Sequence, residues 1–300
     1  MSSGWILGLI GAILWALDNL LIAKVFEINS SAKVIDTIAI VLTKELFMFC
    51  TLFVIMLFSA VKICSIFKTK EFLWLSIPGI LTNGLGTLCY VIAIKLIGSE
   101  LSGAISGVYP FITFIFGVLT MKYRPNILSI TGFILISTAL FFNIEIQYNG
   151  FYYLIGIILA FCVALVFSLE AILIGYISNI TLNTRELLFG KITWALLWDL
   201  AVYTPIIYVF SLKSIFNSAT IVLIFISSLL SVGSYYFYYK SIVVLKSVNA
   251  TAINILYIPF ISIFSLFYFK IPIFSATILL NCIITIGVIL ILYSKHNKDA

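Results

Sequence analysis

The chain has 300 residues, 63% of them hydrophobic and 9% charged, with a mean hydropathy of +1.24. Soluble domains carry about 25% charged residues, so a water-exposed globular fold is excluded and the chain reads as an integral membrane protein. The formal net charge of +6 is scattered through short loops and gathers into no basic patch, which argues against nucleic acid as a partner. Cys50, Cys64, Cys89, Cys162 and Cys282 include no CxxC, and four of the five sit in apolar segments, so no disulfide framework is expected. The single histidine, His296, lies in the polar tail KHNKDA. Metal ligands are therefore scarce, and neither a metal nor a cofactor is expected.

Spanning a bilayer takes about 20 apolar residues in a helix. The first apolar run begins at Trp5 without a basic leader and is too long for a signal-peptide core, so it reads as a retained helix. Polar or turn-rich breaks, among them KTKE (68–71), KYRPN (122–126), NIEIQYNG (143–150) and SNITLNTRE (178–186), divide the chain into ten spans. These run roughly over 5–26, 34–60, 72–97, 101–121, 127–144, 151–177, 185–210, 219–244, 249–269 and 274–294. Alternating ten-residue strands are absent from the pattern, which excludes a β-barrel. The expected fold is all-α and integral to the membrane. With the N-terminus inside, Lys62, Lys68, Lys70, Lys122, Arg124, Arg185, Lys246, Lys295 and Lys298 fall on the cytoplasmic side. Lys24, Lys33, Lys95, Lys213 and Lys270 fall outside, so both termini are expected to be cytoplasmic.

The two halves of the chain repeat one another. WALDNLLIA (15–23) aligns without gaps to FSLEAILIG (167–175), pairing Asp18 with Glu170. LTKELF (42–47) aligns to FGKITW (189–194), pairing Lys44 with Lys191. GAISGVYPFITF (103–114) aligns to TAINILYIPFISI (251–263) with one residue inserted before the proline, pairing Tyr109 with Tyr257 and Pro110 with Pro259. Five spans per half is an odd number, so the halves, 1–148 and 149–300, enter the membrane in opposite directions. Such inverted repeats are the architecture of alternating-access carriers.

Ten short-looped spans in two five-span halves resemble the drug/metabolite transporter superfamily, EamA type. The resemblance is carried by GAILWALDNLLIAK at the start, by GTLCYVIAIKLIGSELSGAISGVYPFITFIFGVL across the third and fourth spans, and by YYFYYKSIVVLKSVNATAINILYIPFISIF across the eighth and ninth. It implies a central cavity bounded by spans one to four and six to nine, with five and ten peripheral. One departure stands out. Members of the family often carry a glutamate just after the fourth and ninth spans, where this chain has MKYRPN and YFKIP.

Within the spans lie Asp18, Lys44, Glu45, Glu170, Lys191, Asp199 and Lys240. Each costs about 2.5–3.5 kcal/mol at mid-helix on insertion scales, so such groups face a cavity or one another. Lys44 and Lys191 are candidates for substrate binding or gating, with Asp18 and Glu170 as their repeated partners; a purely structural salt bridge is the competing reading. Glu45 has no repeated counterpart and either neutralises Lys44 or faces another helix, and Asp199 and Lys240 are candidates to bind each other. A proton taken up by Asp18 or Glu170 would couple transport to a gradient. Pro110 and Pro259, near mid-span, read as paired hinges or packing kinks. Tyr109 and Tyr257 precede them, Asn83 lies in TNGLGT (82–87), and Tyr235 and Tyr239 share a face of YYFYYK (235–240). All five are solute-contact candidates, whereas Gly84, Gly86 and Gly233 suit close packing.

No GxxxxGK[ST] or HExxH occurs, so ATP-driven transport and zinc hydrolysis lack their residues. The function expected is a non-enzymatic secondary transporter of the cytoplasmic membrane for a small polar, amino-acid-like solute. An anionic metabolite, sugar or nucleoside is the alternative, and a polytopic enzyme or sensor the more remote one. A proton or counter-solute, and a homodimer, stand as options for its partners beside the solute and the bilayer.

Overall fold

Long apolar runs dictate helices here, because a segment shielded from water satisfies its own backbone N–H and C=O groups only in a helix. The computed structural model describes residues 3–29, 33–59, 63–121, 123–142, 150–178, 183–209, 217–268 and 275–299. The runs become α1 (Ser3–Ile28), α2 (Thr37–Leu57), α3 (Thr87–Ser106), α4 (Tyr109–Thr120), α5 (Ile127–Phe142) and α6 (Phe151–Ile177). They continue as α7 (Thr184–Val209), α8 (Ser218–Leu245), α9 (Ser247–Asn254), α10 (Tyr257–Tyr268) and α11 (Ser275–Asp299). Short helical turns at Ile63–Ile66, Lys70–Trp74 and Ser76–Pro78, then a π-helical stretch at Gly79–Gly86, lead into α3. No strand occurs among the described residues.

Among those residues eight stretches are long and apolar enough to cross a membrane, and Ile127–Phe142 is apolar but shorter. One of the eight, Lys70–Thr120, runs across the expected break between the third and fourth spans. Within it Gly98, with φ +81° and ψ 163°, departs from helical geometry and kinks the chain. Lys246, between α8 and α9, does the same with φ 68° and ψ 159°. Gly98 and Lys246 both lie eleven residues before the tyrosines that the repeat pairs, Tyr109 and Tyr257. The boundary expected at 148/149 lies outside the described residues.

Helix pairing crosses between the halves. The α1 and α8 helices run antiparallel, with Gly4 against Leu245, Gly8 against Ser241 and Gly11 against the Ser234 carbonyl. The Ser234 hydroxyl donates to the Gly11 carbonyl and the Ser241 hydroxyl to the Gly4 carbonyl, each at 2.9 Å. Small residues here let two backbones approach closely, the usual driving contact where lipid offers no hydrophobic contrast. In the same way α3 packs on α6, where Gly156 meets Leu96 and Ile97, and α2 packs on α7, where Phe49 and Phe189 stack at 5.7 Å. The α5 and α11 helices meet antiparallel through Gly132 and Gly287, each glycine set against the other's carbonyl oxygen. These last two helices supply no lining to the interior described below.

Pro110 and Pro259 occupy the first turns of α4 and α10. The bends in these spans therefore come before the prolines, at Gly107–Val108 and Ile255–Leu256. A proline in the first turn costs little, since its missing N–H has no intrahelical acceptor to lose. Large apolar side chains such as Phe58 (88% exposed), Phe151 (74%) and Phe267 (76%) cover the outside, as a lipid-facing surface requires.

Candidate functional site

Four of the ionisable residues of the spans turn inward and form two ion pairs. Asp18 is 1% exposed, Lys44 5%, Glu170 2% and Lys191 0%. Lys44 Nζ donates to both carboxylate oxygens of Asp18 at 2.8 Å. Asp18 also accepts from Ser231 Oγ at 2.6 Å and from Ser227 Oγ, two hydroxyls one turn apart on α8. Lys191 forms an ion pair with Glu170, whose Oε1 accepts from the Tyr239 hydroxyl as well. The residues that the sequence alignment matches thus make the same kind of contact twice, α1 to α2 and α6 to α7. Burying single charges would be prohibitive, and pairing with further hydrogen bonds is what makes their burial tolerable.

Glu45 does not neutralise Lys44. Its Oε1 accepts from Asn83 Nδ2 at 2.8 Å, tying α2 to the π-helical stretch. Asp199 and Lys240 do not meet: Lys240 Nζ sits 4.7 Å above the Tyr236 ring, while the buried Asp199 carboxylate has no hydrogen-bond partner among the described residues. Lys240 is only half-buried on α8, whereas Asp199 is fully buried on α7. Gly84 is a packing residue, because a side chain there would strike Trp198 at 2.7 Å.

Two small cavities lie at the centre. The first, about 20 Å³, is lined by Trp15, Tyr109, Phe167, Glu170, Ser234, Tyr235, Tyr238, Asn254 and Tyr257. The second, about 10 Å³, is bordered by Asp18, Asn19, Lys44, Glu45, Asn83, Tyr90 and Ser231, among others. Trp15, Phe167 and Tyr235 line both and form the wall between them. Trp15 meets Tyr235 edge-on at 5.4 Å and Phe167 edge-on at 5.8 Å. Each space has room for about one water molecule.

The larger cavity is an aromatic box with a carboxylate at one side. Lys191 Nζ lies 3.8 Å from the Tyr235 ring centroid and 5.4 Å from that of Tyr239, so an ammonium already sits against ring faces and a carboxylate together. A cation over a ring face is attracted by the ring quadrupole, by about 2 kcal/mol when desolvated. Tyr109 and Tyr257 both line this cavity, and each is held by a residue from the other half of the chain. Asn254 Nδ2 donates to Tyr109 Oη at 2.9 Å, while Ser106 Oγ lies 3.2 Å from Tyr257 Oη. Asn254 and Ser106 each stand three residues before the other tyrosine of the pair.

Sequence reasoning missed Trp15, Phe167, Tyr238, Asn254 and the α8 serines. A signal for three of them existed. Trp15 and Phe167 open the first aligned pair of segments, and Asn254 falls inside the third.

Residues 2–144 match the EamA-like transporter family. The first half of the chain is thus similar to that family. With its apolar helices, the protein is a multi-pass membrane protein. Over its full length it is similar to protein LicB of Haemophilus influenzae, with 26% identity over 309 residues, covering 98% of this chain and 99% of LicB. A protein of known crystal structure superposes with a TM-score of 0.70 at 14% identity, covering 99% of each chain. That likeness is one of fold.

Proposed function

We propose that the protein is a secondary transporter carrying a small polar solute with a positively charged nitrogen, amino-acid-like in size, across the cytoplasmic membrane by alternating access. One observation carries the substrate class: at the edge of the cavity Glu170 holds an ammonium, that of Lys191, against the rings of Tyr235 and Tyr239. A solute ammonium would take over part of this site as the box widens. The anionic alternative loses its support because Lys44 and Lys191 are each matched by a carboxylate. A sugar or nucleoside is the second reading, since the Tyr235 and Tyr238 hydroxyls and Asn254 Oδ1 line the cavity without a hydrogen-bond partner among the described residues.

The carrier in this reading consists of two inverted five-helix halves, 1–148 and 149–300. Treating Gly98 as the turn between two spans and counting Ile127–Phe142 as a span gives ten. The family match ending at residue 144 supports the division, and the antiparallel meeting of α5 with α11 supports the inversion. The small volume of the central cavities supports alternation, since a solute fits there only if contacts such as that of Trp15 with Tyr235 part. The bends ahead of Pro110 and Pro259 are the natural hinges. Both termini are assigned to the cytoplasm, and a proton or counter-solute drives the cycle.

The test is uptake of labelled solutes into proteoliposomes. The panel holds a substituted ammonium, a zwitterionic amino acid, a dicarboxylate, a hexose and a nucleoside. Saturable uptake of an ammonium-bearing member, abolished by Glu170→Gln in protein that still inserts, is the expected result. Preferential uptake of the dicarboxylate would overturn the substrate class.

A further inference from the structure

Away from the centre, a basin of about 270 Å³ opens where α7 begins and α8 nears its end. Asn183, Thr184, Arg185, Tyr236 and Lys240 line it, so among the described residues its walls carry two full positive charges and no carboxylate. It shares no residue with the central cavities. Lys44 and Lys191 are matched by acids, whereas neither Arg185 nor Lys240 is in an ion pair among the described residues.

The local chemistry holds this arrangement in place. Asn183 Oδ1 accepts from the N–H groups of Arg185 and Glu186 at 3.0 and 3.1 Å, and Glu186 returns its carboxylate to the Asn183 N–H at 2.9 Å. This reciprocal cap fixes the first turn of α7 and commits the nearest carboxylate to the backbone. Arg185 Nη1 reaches Ser59 Oγ at 3.4 Å, which leaves most of its donors to the basin. Tyr236 and Lys240 are one turn apart on α8, with the ammonium over the ring. One turn further, Val243 and Val244, each 43% exposed, continue the surface as an apolar face. Because Gly4 packs on Leu245, the basin lies toward the end of the bundle where the chain starts.

We propose that this basin binds an anionic phosphate group. A guanidinium forks onto two phosphate oxygens and an ammonium answers the remaining charge. Basic pockets between membrane helices suit the headgroup of an anionic phospholipid, whose acyl chains would lie along the Val243–Val244 face. A soluble phosphate compound presents the same chemistry, so the experiment has an arm for each source.

The full chain is purified into phosphatidylcholine nanodiscs with and without phosphatidylglycerol, and retained lipid is counted by native mass spectrometry. Melting temperatures are read in parallel with added inorganic phosphate. Selective retention of phosphatidylglycerol, weakened about thirtyfold in R185Q/K240Q and kept in R185K/K240R, supports the lipid source. A melting shift with inorganic phosphate but no phosphatidylglycerol selectivity supports the soluble source. Equal retention of both lipids with no phosphate shift, or selectivity unchanged in R185Q/K240Q, overturns the proposal. Should R185Q/K240Q misfold, the wild-type selectivity and R185K/K240R still decide.

Discussion

Lys191 and Glu170 form an ion pair beneath the ring of Tyr235, with the ammonium 3.8 Å from the ring centroid and neither charged residue more than 2% exposed. Removing one partner strands the other. Lys191→Met alone should destabilise by about 3–5 kcal/mol, whereas K191M/E170Q should recover most of that loss. Melting the three proteins in one detergent reads this directly, and equal melting of the single and double variants would show that the pair is not ionised in the folded protein.

Asp18 draws on Lys44 and on two serines of α8. Ser231→Ala removes a hydrogen bond to a charged acceptor and should cost about 1.5–3 kcal/mol. Ser228 bonds only backbone carbonyls, and Ser228→Ala should cost about 0.5–1.5 kcal/mol. Chemical denaturation of both variants gives the comparison; the reverse order would contradict an ionised Asp18.

Lys246 has a backbone conformation that is essentially reserved for glycine, φ 68° with ψ 159°, and such a residue stores about 1–3 kcal/mol. Lys246→Gly should therefore raise the melting temperature without altering the helix content seen by circular dichroism. Gly98 makes the equivalent kink without that strain, so Gly98→Ala should lower stability.

At the meeting of α5 with α11, a side chain on Gly132 would lie 2.5 Å from the Gly287 carbonyl oxygen. Gly132→Val should push the helices apart at a cost of about 1–3 kcal/mol. Uptake should survive at temperatures where the variant is folded, because neither helix lines the chamber. Loss of uptake in a fully folded variant would mean that these helices take part in the transport cycle.

Much of this was legible from residues alone. Periodic apolar runs forced helices, and the cost of a buried charge made Lys44 with Asp18 and Lys191 with Glu170 the natural couples. The repeat also pointed to Tyr109 and Tyr257. The serines of α8 escaped notice because serine packs small interfaces throughout such helices, and only the facing of α8 on α1 turns Ser227 and Ser231 toward a carboxylate. Asn254 escaped because its partner, Tyr109, lies 145 residues away.

By itself, then, the sequence determined the medium, the helices and the set of intramembrane charges, all of which follow from transfer energies that depend on residue type and local spacing. Only the tertiary structure decided that Glu45 goes to Asn83 and not to Lys44, that Asp199 and Lys240 part, and that Trp15, Phe167 and Tyr235 wall the chamber. Those outcomes depend on the rotation and depth of each helix against its neighbours, which are set by packing between residues far apart in the chain.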